Sequence, residues 1–192
     1  MEYGGCLNDL WKYDPVTGNW AGGPPGVVAG GAGFTADFST LNPTADASVT
    51  LDGVRVIGGL VFADTATAPA AGWTLAAGTG GSLHLAGANP TITVNALAAG
   101  KFASITAPLG GLNGFTKTGA GNLLLNNSTN PISGPVTLSA GNLQLNSTSL
   151  SRISRLTLQS GSLVIATTAA DAVGGTLQFN GGTLQFNQSP AA

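Results

Sequence analysis

A five-residue phrase recurs at a constant interval in the second half of the chain. The phrase is glycine, any residue, apolar, any residue, apolar. It fills positions 121–125, 141–145 and 161–165, so its three copies are evenly spaced. A fixed period of this kind indicates a repeat architecture, in which each unit buries its apolar side chains by stacking on its neighbours. The chain is therefore expected to build its core by repetition.

A second phrase, apolar-Thr-apolar, lies before the glycine phrase, as at 136–138 and 156–158. Apolar residues alternate in both phrases, which is the period of a strand with one buried face, and no sustained helical spacing occurs. These patterns predict an all-β parallel β-helix (β-solenoid) with coils of about 20 residues. An antiparallel β-sandwich would explain the alternation but not the constant step. We assign earlier copies of the glycine phrase to 59–62, 81–85 and 100–102, and of the second phrase to 73–75 and 92–94.

The apolar positions of the glycine phrase define two predicted columns of the core. Residues one repeat apart should lie on top of each other, because each coil stacks on the previous one at the spacing of neighbouring strands, about 4.8 Å. The predicted columns are Leu123, Leu143 and Leu163 in one, and Leu125, Leu145 and Ile165 in the other.

Asparagines follow the phrase at equivalent positions. Asn126 and Asn146 stand one repeat apart, directly after the last leucine. Stacked asparagines at a bend can hydrogen-bond along the stack and tolerate left-handed backbone, so the two residues predict an asparagine ladder. Both also match the Asn-x-Ser/Thr acceptor pattern, which leaves glycosylation as the alternative.

One stretch of the chain resembles a known family. The letters GFTKTGAGNLLL at 114–125, GPVTL at 134–138 and GNLQL at 141–145 resemble the autotransporter-associated β-strand repeat, and weaker copies cover roughly 47–187. The resemblance implies a right-handed β-helix in a secreted passenger domain at a bacterial surface. Residues 47–192 are accordingly interpreted as β-solenoid repeats. No signal peptide or translocating barrel is recognisable, so the chain is interpreted as a fragment.

The first part of the chain has a different character. Residues 4–20, with Gly-Gly, then LNDLWKYDP, then Trp20, are similar to part of a kelch repeat, but one blade of a kelch propeller needs about 50 residues. We therefore expect residues 1–20 to be a kelch-like fragment or a cap. Residues 21–46 are rich in Gly, Pro and Ala, which predicts a linker or an irregular first coil.

Charged residues make up only 7% of the chain, and the net charge is −2. The six basic residues are scattered, so the basic stripe that neutralises nucleic-acid phosphates is missing. Apolar stretches are interrupted well before the ~20 residues that a membrane helix needs. We expect neither nucleic-acid binding nor membrane insertion by this segment.

Residues that could carry chemistry are few. No Asp or Glu occurs between 65 and 170, so the most regular repeats lack the pair of carboxylates used in glycoside cleavage. Asp46, Asp52 and Asp64 could converge on early coils, although solvated turns are the simpler interpretation. His84 stands between two leucines and is expected to point outward. We predict no catalytic, metal-binding or cofactor-binding residues and no enzyme activity.

Two identical heptads end the repetitive region, GGTLQFN at 174–180 and again at 181–187. Their short interval breaks the constant step of the earlier phrases, so they are expected to occupy two consecutive faces of the final coil. We expect another coil to continue from here in the full-length protein and the isolated fragment to self-associate through this end, because no charged residue follows Asp171 to guard a strand edge.

The sequence thus predicts a non-catalytic secreted or cell-surface scaffold, structural or adhesive, of the autotransporter passenger type. A receptor or glycan partner is not identifiable from these residues. The alternatives are a self-assembling extracellular fibre subunit and a carbohydrate-active β-helix enzyme.

Overall fold

The computed structural model describes residues 10–14, 19–21, 30–64, 69–146, 150–166 and 172–187. These residues form eighteen β-strands arranged in two sheets. No helix among them has the length and apolar character to cross a membrane. The chain is all-β, as its sequence predicts.

The smaller sheet has seven strands, and every pair in it is parallel. In chain order its strands are β4 (Ala47–Leu51), β6 (Trp73–Ala77), β9 (Ala103–Ile105), β12 (Asn122–Leu125), β14 (Asn142–Leu145), β16 (Ser162–Ile165) and β18 (Thr183–Phe186).

The larger sheet has eleven strands, and within it only β1 and β2 pair antiparallel. In chain order its strands are β1 (Leu10–Asp14), β2 (Asn19–Ala21), β3 (Gly31–Asp37), β5 (Val54–Phe62), β7 (Ser82–Leu85), β8 (Thr91–Val94), β10 (Leu109–Gly110), β11 (Phe115–Thr118), β13 (Gly134–Leu138), β15 (Ile153–Leu158) and β17 (Thr176–Phe179).

From β11 onward, successive strands alternate between the two sheets, so each strand pairs with the strand two places further along the chain. Leu123 pairs with Leu143, and Leu143 pairs with Leu163, in parallel register and with the same step each time. The predicted in-register parallel pairing of the three glycine phrases is confirmed. The antiparallel pairing that a β-sandwich requires does not occur between them.

In the first half of the chain the step between paired strands is longer than predicted. Val49 pairs with Leu75, and Trp73 pairs with Ala103, so these two intervals exceed the regular step and differ from each other. The longer repeats hold additional residues between their strands, including the short strands β7 and β10, which pair with each other. Coils of nearly constant length are therefore present only from about residue 103 onward.

The assignment of early phrases to faces also needs correction. The strand at 73–77 lies in the smaller sheet with the glycine phrases, although its amino-acid sequence resembles the second phrase. The phrases at 59–62 and 81–85 lie in the larger sheet, although they match the glycine phrase. The pattern failed here because two apolar residues separated by one polar residue suit the inner side of either sheet equally well.

The two sheets contribute to one continuous apolar core. All six predicted column residues belong to this core and are at most 5% exposed: Leu123, Leu125, Leu143, Leu145, Leu163 and Ile165. Near the β4 end the core becomes aromatic, because Phe38 stacks on Phe62 with ring centroids 5.0 Å apart and contacts Trp73 at 5.4 Å.

Part of the region before residue 47 joins the larger sheet. β3 falls within the Gly/Pro/Ala-rich segment 21–46 and pairs in parallel with β5. β1 pairs with β3 and, antiparallel, with β2. The rest of the kelch-like interpretation concerns residues 1–9 and 15–18, which lie outside the described residues, and it stays a prediction.

The tandem heptads occupy different sheets, as predicted. β17, from the first copy, pairs with β15 in the larger sheet, and β18, from the second, pairs with β16 in the smaller sheet. The short interval between the copies in the sequence is therefore the number of residues that separate a strand of one sheet from the next strand, which lies in the other sheet. The step between coils, here from Leu163 to Leu184, stays close to that of the preceding coils.

Leu143 lies in the middle of its column and is fully buried. We expect Leu143→Ala to lower the free energy of unfolding by about 2–5 kcal/mol, because the close-packed strands on both sides cannot collapse into the space left behind. Denaturant titration of the variant and the parent chain measures the difference. A loss below about 1 kcal/mol would contradict a tightly packed column.

Candidate functional site

A carboxylate joins three successive coils at the start of the smaller sheet. Asp46 directly precedes β4, Gly72 precedes β6, and Lys101 lies just before β9. Asp46 Oδ1 accepts hydrogen bonds from Gly72 N at 2.8 Å and from Lys101 Nζ at 2.8 Å. Lys101 Nζ also lies 3.0 Å from Asp46 Oδ2. One side chain therefore contacts the residues that precede the next two strands of the smaller sheet.

An open cavity of about 260 Å³ adjoins this ion pair. Hydrogen bonding from Lys101, and then from the Gly72 amide, lowers the pKa of Asp46 below its ordinary value. Such a carboxylate stays ionised at neutral pH, so it is poorly suited to donate a proton as a general acid. The cavity is lined by Asp46, Gly72, Trp73, Thr74, Gly100, Lys101, Phe102 and Ser104.

The line of polar contacts continues along the same bend into the regular coils. Asn122 Nδ2 donates to Lys101 O at 3.0 Å, and Asn142 Nδ2 donates to Asn122 Oδ1 at 2.7 Å. Together with Asp46, these residues form a polar seam, which we define as Asp46, Gly72, Lys101, Asn122 and Asn142. The seam crosses five successive coils, and each of its residues takes part in a side-chain hydrogen bond to another coil.

The asparagine hydrogen bond between coils is thus at a different position from the predicted ladder. Asn126 and Asn146 do lie one coil apart, but the part of the chain that the structure describes shows no hydrogen bond between them. Asn126 is exposed, and Asn146 Oδ1 instead accepts from Gln144 Nε2 at 2.9 Å. The sequence held a signal for the observed pair, since asparagine fills the second position of two successive glycine phrases.

Lys117 is a buried lysine with a structural role that the sequence pattern does not predict. It lies in β11 with its side chain directed inward, and it is fully buried. Its Nζ donates to the backbone oxygens of Thr118 at 2.8 Å, Gly119 at 2.7 Å and Ala140 at 3.0 Å. The ammonium group thereby links the bend after β11 to the bend after β13. Burial lowers the pKa of Lys117 to about 8.

The aspartates considered as catalytic candidates have separate environments. Asp52 forms an exposed ion pair with Arg55, and that arginine holds the pKa of Asp52 below its ordinary value. Asp64 is buried at the end of the described segment 30–64. Among the residues that the structure describes, no group of three or more His, Cys, Asp or Glu side chains is placed to hold a metal ion.

His84 lies between Leu83 and Leu85, which are both buried, so its side chain is on the outer side of β7. Its imidazole lies over Gly110 of the next coil. Arg152 and Arg155, the small basic pair near β15, are both exposed.

We expect His84→Ala to change the free energy of unfolding by no more than about 0.5 kcal/mol, as for an ordinary surface position. Denaturant titration beside Leu143→Ala provides the measurement. A loss comparable to that of Leu143→Ala would mean that the contact between the imidazole and Gly110 stabilises the stack.

Comparison with protein-family models, with curated proteins and with solved structures finds no match for this chain. The resemblance noted in the sequence therefore has no independent support from these searches.

Proposed function

We propose that the chain is a right-handed parallel β-helix that serves as a non-catalytic scaffold, structural or adhesive, on the outside of a bacterial cell. The observation that carries the proposal is the in-register stack formed by β12, β14, β16 and β18 on one side and β11, β13, β15 and β17 on the other. A stack of this kind extends along a single axis, so additional coils lengthen it without changing its cross-section. This is a property required of a rod that holds a surface away from a cell.

Two rows of threonines in the larger sheet support the same proposal. Thr91, Thr116, Thr137 and Thr157 follow one another in register across the larger sheet. In a parallel row beside them, the Oγ1 atoms of Thr93 and Thr118 lie 2.8 Å apart. Rows of hydroxyl groups stabilise neighbouring strands through cross-strand contacts. The resemblance of 114–145 to the passenger repeat adds the expectation of secretion.

Surface display tests this proposal. The chain is fused to an unrelated membrane anchor on non-adherent bacteria, and cells retained on host-cell monolayers and on inert surfaces are counted. The matched control carries Leu143→Ala together with Gly161→Ala, which we expect to unfold the stack, at an equal level of display. A folded scaffold resists added protease and retains more cells than the control. Equal retention and equal protease sensitivity of the two chains would refute the proposal.

The cavity beside Asp46 favours a second candidate, a carbohydrate-active β-helix protein. Its lining combines a charged pair with hydroxyl and aromatic side chains, which is the mixture found in many ligand sites. Incubation of the purified chain with plant and microbial polysaccharides, followed by assay of new reducing ends, distinguishes the two functions. Cleavage that disappears in Asp46→Asn would establish the enzyme and exclude a purely structural role.

A further inference from the structure

The cavity beside Asp46 lies at a place where one side chain is missing from a row. Asp46, Gly72 and Phe102 each stand directly before a strand of the smaller sheet, on three successive coils. The backbone is paired at this level, since Ala47 N donates to Gly72 O at 2.9 Å and Trp73 N donates to Phe102 O at 3.0 Å. Asp46 and Phe102 therefore flank Gly72, each one strand spacing, about 4.8 Å, away from it.

Gly72 keeps this place free of a side chain. An added Cβ would lie 2.9 Å from Phe102 O and 3.6 Å from Asp46 Oδ1, so backbone alone forms the floor between the two neighbours. Phe102 is only half-buried, whereas Ala103 is fully buried on the inner side, so the alternation of the strand directs the Phe102 side chain outward. The result is a gap with a carboxylate on one side and an aromatic side chain on the other.

Two hydroxyl groups border the same cavity. Thr74 and Ser104 pair in register on neighbouring coils, and both residues line the cavity. Trp73 and Leu75, on either side of Thr74, are buried, so Thr74 faces outward. Hydroxyls, a carboxylate, an ammonium group and an aromatic side chain thus surround a volume of about 260 Å³. Cavities that take drug-sized ligands measure about 300–1,000 Å³, so this one suits a single small ring.

The charges of the cavity cancel. Asp46 and Lys101 are the charged residues among the described residues that line it, and they form an ion pair at 2.8 Å. A charged ligand would meet a like charge as near as an opposite one, which removes most of the electrostatic gain. A neutral ligand with hydroxyl groups is better matched, because a carboxylate accepts hydrogen bonds from hydroxyls and an ammonium group donates to their oxygens. Asp46 stays ionised for this purpose, because the hydrogen bond from Lys101 lowers its pKa.

We propose that this cavity is a binding site for a single neutral sugar ring, which it holds without cleavage. The C–H face of the ring packs on Phe102, and its hydroxyl groups hydrogen-bond to Asp46, Lys101 and Ser104. Cleavage of a glycosidic bond generally uses two carboxylates, and Asp46 is the one carboxylate among the described residues that line the cavity. The proposal rests on the adhesive form of the proposed function, for which it names a neutral glycan as the chemistry recognised.

Nuclear magnetic resonance titration of the nitrogen-15-labelled chain tests the proposal. The probes are methyl β-D-glucopyranoside, methyl β-D-galactopyranoside and methyl α-D-mannopyranoside, with D-glucuronic acid and D-glucosamine as charged comparators. At least one neutral glycoside should shift the backbone amide signals of Gly72, Thr74 and Ser104. Its dissociation constant should fall in the millimolar range, because so small a ligand makes few contacts. The charged sugars should bind more weakly.

Variants of the lining residues assign the binding to this cavity. Ser104→Leu fills the cavity with a side chain that the fold accommodates, because Leu124 occupies the equivalent position one coil further on. It should weaken glycoside binding about tenfold or more, and so should Asp46→Asn, which removes the carboxylate. Ser48→Ala changes an exposed hydroxyl that is in register with Thr74 but outside the cavity lining, and this control should bind like the parent chain. Circular dichroism establishes that each variant is folded.

Four results would overturn the sugar site: a folded, protease-resistant chain whose amide signals respond to none of the neutral glycosides, tighter binding of a charged sugar, release of free sugar from a methyl glycoside during the titration, or equal weakening by Ser48→Ala and Ser104→Leu. The first of these leaves the scaffold in place, so failure of the site is distinguished from failure of the proposed function. A protease-sensitive chain that binds no glycoside would overturn both.

Discussion

Gly161→Ala is expected to lower the free energy of unfolding by about 3–5 kcal/mol, enough to prevent folding of a marginally stable chain. Gly161 begins the third glycine phrase with φ +84°, in the left-handed region that a side chain disfavours. A Cβ atom there would lie 1.9 Å from the backbone oxygen of Gly141 in the preceding coil. Because that oxygen belongs to the backbone of a packed bend, the clash can be relieved only by separating the two coils.

Two other glycines provide matched controls for the measurement. Gly80 has φ +70° but nothing within 4 Å of the added Cβ, so Gly80→Ala should cost only the backbone strain, about 1–2 kcal/mol. Gly33 has neither a positive φ nor a neighbour within 4 Å, and Gly33→Ala should be nearly neutral. Thermal and denaturant unfolding of the three variants would give the order Gly161, Gly80, Gly33 from the largest loss to the smallest. An equal loss at Gly161 and Gly80 would contradict close approach of the coils.

Raising the pH from 8 to 10.5 is expected to stabilise the chain by about 3 kcal/mol through Lys117 alone. The pKa of the buried Lys117 is about 8, below its ordinary value of 10.5. Between these values the unfolded chain holds the proton and the folded chain does not, so unfolding takes up a proton and becomes less favourable as the pH rises. Below pH 8 both states are protonated, and the full cost of burying the ammonium group is present.

Lys117→Met isolates this contribution, because it keeps an unbranched apolar side chain of similar length and removes the titrating group. The difference in unfolding free energy between the parent chain and the variant, measured at intervals from pH 7 to 10.5, should grow in favour of the parent chain. Other titrating groups cancel in the difference. If the difference instead stays constant, the three backbone oxygens around Nζ stabilise the ammonium form as much as burial disfavours it.

The constant step between glycine phrases was enough to predict the second half of the fold. It predicts that Leu123, Leu143 and Leu163 pair in one register, because each copy of the phrase pairs with the next copy along the chain. The strand register of the first half could not be predicted in the same way. Its coils differ in length, so the sequence has no constant period there. The strand Trp73–Ala77 consequently lies in the smaller sheet, although its pattern predicts the face of the second phrase.

The candidate site was less accessible from the sequence than the fold. Asp46 and Lys101 are far apart in the chain, and their contact depends on two irregular coil lengths, so no spacing rule could connect them. Lys117 is one of six scattered basic residues, and a lysine in an alternating strand is normally expected on the outer face. Its inward position follows from the register: it pairs with Ile92 and Leu138, which are both buried.

The short steps between paired strands also govern how the chain reaches its folded state. From β9 to β18 each strand of the smaller sheet pairs with the strand one coil further along the chain. These pairings therefore join residues that are close in the sequence. Contacts of such modest sequence separation require little loop-closure entropy, and a preceding coil can template the next one. The chain can therefore fold progressively as it leaves a ribosome or a narrow pore, with the emergence of each further repeat completing one more coil.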